Sequence, residues 1–235
     1  MSFFVIMKKE VIMAETKAQL IQDLIDQGVL KNLRIIEAFK KVDRADFVLP
    51  ESKDIAYMDA PLDIGYGATV SQPQTVALML EIIQPNYGDK ILDIGSGSGW
   101  QAALMAACGA KVISLEVVPA LHEMAKKNIA KYKYSKKGLA YYFFKKGLVK
   151  LVLADATWGY KPEAPYDKII AGAAAKEIPQ AWKEQLKIGG KLLAPIRTGD
   201  SGEYGHIVEL DKISDSEFKE KKHEGFMFVP LRSEK

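Results

Sequence analysis

Lys90-Ile91-Leu92-Asp93-Ile94-Gly95-Ser96-Gly97-Ser98-Gly99 is the stretch that decides how this chain is read. Apolar residues lead through a carboxylate into three glycines spaced two apart. Trp100 to Ala107 then has a helical composition and closes at Gly109. The order is strand, tight Gly-rich turn, helix N-terminus. Glycine lets the backbone pass close to a ligand, and a helix start offers unpaired N–H groups. The stretch is either a cradle for a nucleotide-like ligand or an ordinary strand–helix turn, and the flanking sequence must separate the two.

Downstream, Lys111 to Leu115 reads as a second strand ending in Glu116, with Val117 beside it. Pro119 then starts a helix with Leu121, Met124, Ala125 and Ile129 inward. An acid at the tip of the second strand, about twenty residues past the glycine turn, is placed to accept hydrogen bonds from two ribose hydroxyls. Val149 to Leu153 is the next strand and runs into Ala154-Asp155-Ala156, where Asp155 is placed to meet an adenine amino group. Tyr166 to Ile170 reads as a buried strand, followed by small residues Ala171 to Ala175 that let backbone approach a ligand. Ile178 to Leu186 reads as a helix stopped by Gly189-Gly190, with Lys191 to Pro195 as a strand behind it. His206 to Leu210 and Glu224 to Val229 read as an antiparallel finish. Strands alternating with helices indicate an α/β fold with a mostly parallel, doubly wound sheet covered on both faces.

Upstream, Thr16 can cap a first helix whose apolar positions Leu20, Ile21, Leu24 and Ile25 recur at helical spacing, with Gly28 as its stop. Leu33, Ile36, Ala38, Phe39 and Val42 make the buried stripe of a second. Asp43 to Asp63 has little periodicity and reads as a loop-rich cover. Ile64-Gly65-Tyr66-Gly67-Ala68-Thr69-Val70-Ser71-Gln72-Pro73-Gln74 follows, with Pro73 in the first turn of a helix through Ile83. Ser71-x-x-Gln74 matches a capping box, in which the hydroxyl merely satisfies a helix amide. A functional hydroxyl is the other reading; the spacing favours the cap, and the two roles are compatible because helix starts also bind anions.

The chain of 235 residues can bury a sizeable core, and its apolar and charged fractions are those of a soluble globular protein. A net charge of +3 does not call for a nucleic-acid partner. Cys108 is the only cysteine, which excludes an intramolecular disulfide and suits a reducing cytoplasm. With that cysteine and three histidines, no metal site is expected. The apolar run Phe3 to Met7 is too short for a membrane span, and Met13 is a possible alternative start. In Lys131 to Lys150, lysines alternate with Tyr132, Tyr134, Tyr141, Tyr142, Phe143 and Phe144. Such interleaving can bind single-stranded nucleic acid, but it more often packs back onto its own domain.

The glycine turn itself selects the ligand class. A dinucleotide turn is G-x-G-x-x-G/A, and Trp100 occupies the position that wants the small residue. G-x-G-x-G preceded by Asp93 resembles instead the cofactor turn of S-adenosylmethionine-dependent methyltransferases. The resemblance narrows to the protein-L-isoaspartate (D-aspartate) O-methyltransferase family. It rests on Asp63 to Pro73, Leu92 to Ala103, Ala164-Pro165-Tyr166-Asp167 with Ala173 to Ala175, Ile178-Pro179, and Gln185-Leu186-Lys187 with Gly189-Gly190. The Thr-Val-Ser-Gln-Pro element is its most specific part. The resemblance implies a Rossmann-like methyltransferase domain over 1–235, with a helical and loop cover (1–63), a cofactor-binding core (64–200) and C-terminal strands (201–235). It implies that Ser71 is the active-site hydroxyl, with Thr69, Val70 and Gln72 at the substrate. It puts Asp93, Gly95, Ser96, Gly97, Ser98, Gly99, Glu116, Val117, Asp155 and Ala156 at S-adenosyl-L-methionine.

Three departures from the family pattern stand out: Trp100 in place of Tyr, Ala154-Asp155-Ala156 in place of Gly-Asp-Gly, and a longer Lys/aromatic excursion. Arg197 to Gly205 does not reproduce the family's Gly-containing loop, so its substrate contacts stay unassigned. The implied reaction is methyl esterification of the α-carboxylate of L-isoaspartyl residues in damaged proteins, opening repair through a succinimide. A carboxylate is already a nucleophile at neutral pH, so the lack of a His or Cys nucleophile is expected. The partners are then isoaspartyl peptides and proteins, with neither membrane nor nucleic acid. A methyltransferase with another acceptor, such as a small acid or RNA, is the alternative, and a non-catalytic adaptor on the same fold is the reading from a different class.

Overall fold

The computed structural model describes residues 14–133, 148–198 and 204–233. A short antiparallel hairpin, β1 (Leu62–Gly65) and β2 (Ala68–Val70), stands apart from one seven-stranded sheet. The sheet contains β3 (Lys90–Ile94), β4 (Lys111–Glu116), β5 (Val149–Leu153), β6 (Tyr166–Ala171), β7 (Leu186–Thr198), β8 (Tyr204–Lys212) and β9 (Phe218–Phe226). Their order is β5-β4-β3-β6-β7-β8-β9. Pairing is parallel from β5 to β7 and antiparallel for β7–β8 and β8–β9. This is the expected doubly wound α/β fold with an antiparallel finish. The chain winds outward from β3 in both directions, so the crevice at the carboxyl ends of β3 and β6 is the topological switch point.

The central strands are apolar along their length because both faces are covered. Ile91, Val112 and Ile170 pack into one cluster with the N-terminal helices; Leu92, Ile94, Ile113 and Ile169 pack into the other, with Trp182. The first cover contains α1 (Lys17–Asp26), α2 (Leu33–Lys41), α3 (Pro73–Ile83), α4 (Trp100–Ala107) and α5 (Pro119–Lys133). The short α6 (Gln180–Gln185) brings Trp182 to the opposite face. Thr16 caps α1 by accepting from the Gln19 amide, as its position predicts. The edge strand β9 exposes Lys219, Glu220, Lys221, Lys222 and Glu224, a charged rim that discourages pairing with another chain.

Three local expectations are corrected. Leu33 is 78% exposed, since it opens α2 just after the Asn32 cap, and Ile35 takes the buried place. Gly189-Gly190 does not stop a helix. α6 has already ended at Gln185, and the two glycines form an irregularity inside β7, where the register to β6 shifts. The last strand is Phe218–Phe226, because a turn closed by the Ile213 amide on the Glu217 carbonyl (2.9 Å) starts it earlier than its apolar end suggests. The apolar Val229 to Leu231 instead leaves the sheet. There the Ala174 amide donates to Val229 and the Leu231 amide to Ala174, each at 2.8 Å, which carries the C-terminal segment to the switch point.

Candidate active site

The glycine turn is stitched to the tip of β4. The Gly95 and Ser96 amides donate to the Leu115 carbonyl at 2.9 and 2.8 Å, and the Gly99 amide donates to Ser96 at 2.7 Å. The Gly97 amide donates to Glu116 Oε2 at 2.8 Å, while Oε1 of the same carboxylate accepts from Val117 and Val118, each at 3.0 Å. Four turn amides expected to face a ligand are thus engaged inside the protein. Gly99 has φ +91°, and a Cβ there would meet Ile129 at 3.1 Å and Ala125 at 3.3 Å, so the turn lies tight against α5.

Beneath the turn, Asp93 is fully buried. It accepts from Ser114 Oγ at 2.6 Å and from Gln101 Nε2 at 2.8 Å, and Ser114 Oγ lies 2.6 Å from Ser96 Oγ. Burial pushes its carboxyl up to about 6; the bonds from Ser114 and Gln101 oppose that, and the nearby Glu116 charge reinforces it. Ser98 Oγ is buried with no partner among the described residues, and its carbonyl accepts from Asn128 at 3.1 Å. Asp155 caps the short turn Ala156–Trp158 through the Thr157 amide at 2.8 Å, and the Ala156 carbonyl accepts from Trp182 Nε1, also at 2.8 Å.

The opposite wall is the hairpin and the segment after it. Ser71 does not cap α3. The helix has Gln72 at its cap position with no side-chain bond, and the Gln74 amide donates instead to Asp59 Oδ1 at 2.7 Å. The capping-box reading is therefore overturned: a carboxylate from the preceding loop does that work, and no protein group among the described residues engages the Ser71 hydroxyl. Val70 is buried in the core, and the Gln72 side chain is turned onto Asp59, whose carboxylate oxygen it meets at 3.0 Å.

Sequence reading passed over Arg44, which is only 2% exposed. Its guanidinium donates to the carbonyls of Ala56 (2.7 Å), Met58 (3.1 Å), Ala60 (2.8 Å) and Ser71 (3.0 Å). Burial draws its pKa down to about 10, the Asp59 charge opposing, so it stays a cation at neutral pH. Nothing in the spacing of Asp43 to Asp63 marks it. The sequence around it, Asp43-Arg44-Ala45-Asp46, reads as an ordinary charged loop.

The two walls border an open cleft at the switch point. Thr69, Gly95, Gly97, Glu116, Val117 and Ala156 line it, as do Gly172 and Ala173 after β6 and the segment Val229 to Arg232. Asp93, Ser96, Ser98 and Gly99 lie behind the glycine wall, and Ser71 follows Thr69 by two residues. A sequence model of the protein-L-isoaspartate(D-aspartate) O-methyltransferase (PCMT) family matches residues 15–235. The chain belongs to that family.

Members similar to it include the protein-L-isoaspartate O-methyltransferase of Methanopyrus kandleri, 38% identical over 224 residues, with 93% of this chain and 92% of that one covered. That of Thermococcus onnurineus is 40% identical over 215 residues, covering 91% and 92%. Among solved structures, a Plasmodium falciparum protein described as a protein-L-isoaspartate O-methyltransferase, in complex with S-adenosyl-L-homocysteine, superposes with a TM-score of 0.77. It is 26% identical, with 93% of this chain and 99% of that one covered. Among the described residues no helix is long and apolar enough to cross a membrane, and no group of three or more acidic, His or Cys side chains could hold a metal ion. Of the Lys/aromatic stretch, Tyr132 packs back onto Phe47 and accepts from the Asp43 amide at 2.7 Å. Tyr134 to Phe144, Met13 and most of the Arg197 to Gly205 loop (199–203) lie outside the described residues.

Proposed function

We propose that this chain esterifies the free α-carboxylate of L-isoaspartyl residues, and of D-aspartyl residues, with a methyl group from S-adenosyl-L-methionine, in the cleft between the glycine turn and Thr69–Ser71. The single observation that carries the reading is the meeting of a glycine turn with a hydroxyl-bearing wall at the switch point of a family member. The small residues at Gly95, Gly97, Gly172 and Ala173, and the Glu116 carboxylate at the tip of β4, suit a nucleoside with an amino-acid tail.

In this reading Glu116, Val117 and Ala156 hold the nucleoside part, and Gly95 and Gly97 lie along its tail. Asp93, Ser96, Ser98 and Gly99 act from behind as the support of that wall, and Asp155 shapes the turn that presents Ala156. The cofactor, when bound, supplies an electrophilic methyl group on a sulfonium. The protein's part is to bring the carboxylate oxygen in line with that methyl, to hold it by hydrogen bonds from Ser71 and Thr69, and to exclude water from both charges. One O–C bond forms, one S–C bond breaks, and the two opposite charges cancel, so no side chain has to move a proton. The methyl ester then closes to a succinimide when the next backbone nitrogen attacks the ester carbonyl and methanol leaves. Val70 and Gln72 act through the backbone that carries Ser71. Isoaspartyl peptides and proteins are the partners. The lone cysteine and its burial support a cytoplasmic setting.

The test is a base-labile methyl-ester assay on a synthetic isoaspartyl peptide and its normal aspartyl twin. Methylation of the first alone supports the reading. Methylation of RNA or a small acid, with neither peptide modified, overturns it.

A further inference from the structure

Two charged side chains face the cleft among its described lining residues, and they stand against different walls. Glu116 closes the β4 end, where its carboxylate is held by three backbone amides. Arg232 reaches the other wall from the C-terminal segment that Ala174 anchors by its two backbone bonds. Its Nη2 lies over Gly67, only 2.7 Å from where a Cβ would stand, so the absent side chain at Gly67 is what leaves room for the guanidinium. Gly67 has φ +62° and is followed directly by Ala68 and Thr69, also on that wall. No carboxylate lies within salt-bridge distance of Arg232 among the described residues. A cation with no carboxylate partner among the described residues thus lies beside the wall that carries Thr69.

We propose that Arg232 is a substrate-positioning residue that pairs with the methyl-accepting α-carboxylate of the isoaspartyl residue; this rests on the function proposed above. A guanidinium presents parallel N–H donors that match the two oxygens of a carboxylate. Its charge also draws the anionic end of the substrate to the side of the cleft that carries Gly67 and Thr69. The effect on the reaction has a definite sign. Methyl transfer removes the negative charge from the carboxylate, so the attraction to Arg232 is stronger in the bound substrate than in the transition state. Such an interaction lowers KM without raising kcat. It also separates substrate from product, because the neutral ester no longer pairs with the guanidinium and leaves.

The experiment compares wild type with Arg232→Gln and Arg232→Lys. Each is given an isoaspartyl peptide with uncharged neighbours, and a twin whose α-carboxylate is a carboxamide serves as competitive inhibitor. Calorimetry with S-adenosylhomocysteine checks that the cofactor site is intact. In Arg232→Gln, KM is expected to rise about tenfold with kcat unchanged or slightly higher. The preference for acid over carboxamide should fall toward one, and Arg232→Lys should recover part of both. An unchanged KM, an unchanged acid-to-carboxamide ratio, or an equal loss of kcat and kcat/KM would overturn the assignment. Failure of wild type itself to methylate the peptide would count against the proposed function instead.

Discussion

The guanidinium carbon of Arg44 lies 5.3 Å from the centroid of the Trp100 ring, within cation–π range. Trp100 is the first residue of the helix that leaves the glycine turn, and Arg44 donates to the Ser71 carbonyl at 3.0 Å. One buried cation therefore ties the helix that leaves the glycine turn to the segment that carries Ser71. Phe39 meets the indole edge-on, with ring centroids 5.8 Å apart. The position of Ser71 relative to the glycine turn is thus fixed by core packing as well as by the hairpin itself.

Replacing Arg44 tests this tie. Arg44→Met removes the donor from four carbonyls in or near the core, and it leaves Asp59 without its cationic neighbour. A loss of roughly 3 kcal/mol of stability is expected, visible as a lower midpoint in denaturant unfolding. Arg44→Lys keeps the charge but not the fork, and should fold while raising KM for the peptide more than it weakens the cofactor. Equal effects on peptide and cofactor would show that Arg44 does not act on the Ser71 side in particular.

Asp93 predicts a pH dependence. Its carboxyl is raised from 3.8 to about 6 in the folded chain, so it binds a proton more readily there than when unfolded. Its contribution to stability is complete below about pH 4 and is lost as pH rises through 6. Asp93→Asn removes that dependence. Between pH 4 and pH 7 the variant should gain about 3 kcal/mol relative to wild type in denaturant unfolding. A difference that does not vary with pH would contradict the buried, charge-disfavouring site.

Two glycines with positive φ give a paired comparison. Gly65 has φ +83° with open space where a Cβ would stand, whereas Gly99 has φ +91° with Ile129 and Ala125 in contact distance. Gly65→Ala should cost about 1 kcal/mol, from backbone strain alone. Gly99→Ala should cost about 2 kcal/mol or more and should also weaken S-adenosylhomocysteine in calorimetry, because the turn must lift from α5. Equal losses in both variants would mean that the turn does not rest on that helix.

Cys108 is buried, and burial pushes its thiol up to about 12. At neutral pH a disulfide reagent should modify it only on unfolding, with less than about one-tenth of the thiol reacting in the native protein over the time the denatured chain needs for completion. Rapid modification of the folded protein would place the thiol at the surface.

The parallel core was legible because its strands are short, mostly apolar runs, and β3, β5 and β6 lead into a glycine or an alanine. The strands around Ile91 to Ile94 and Tyr166 to Ile170 could be placed from the residue pattern alone. The edge strand β9 was misplaced because most of its side chains face water, so charge replaces the alternation that marks a half-buried strand. The glycine-turn wall was legible in its glycines and in Glu116, since spacing along two adjacent strands carries that geometry. The amide bonding was not, because Glu116 reaches back to the turn across a strand boundary. Ser71 shows the limit most clearly. Its local pattern matches a cap, yet Asp59, twelve positions earlier, caps the helix instead. Arg44, Asp59 and Arg232 act over long separations in sequence, and a linear pattern does not encode such contacts.

Turnover by Ser71→Ala on the isoaspartyl peptide, measured beside its affinity for S-adenosylhomocysteine, tests the central claim most directly. The variant is expected to bind the cofactor product as wild type does while kcat/KM for methyl-ester formation falls by about tenfold or more, the loss of one orienting hydrogen bond to a charged acceptor. Wild-type turnover in Ser71→Ala, with the peptide still esterified at the isoaspartyl carboxylate, would contradict a working role for this hydroxyl and for the wall that carries it.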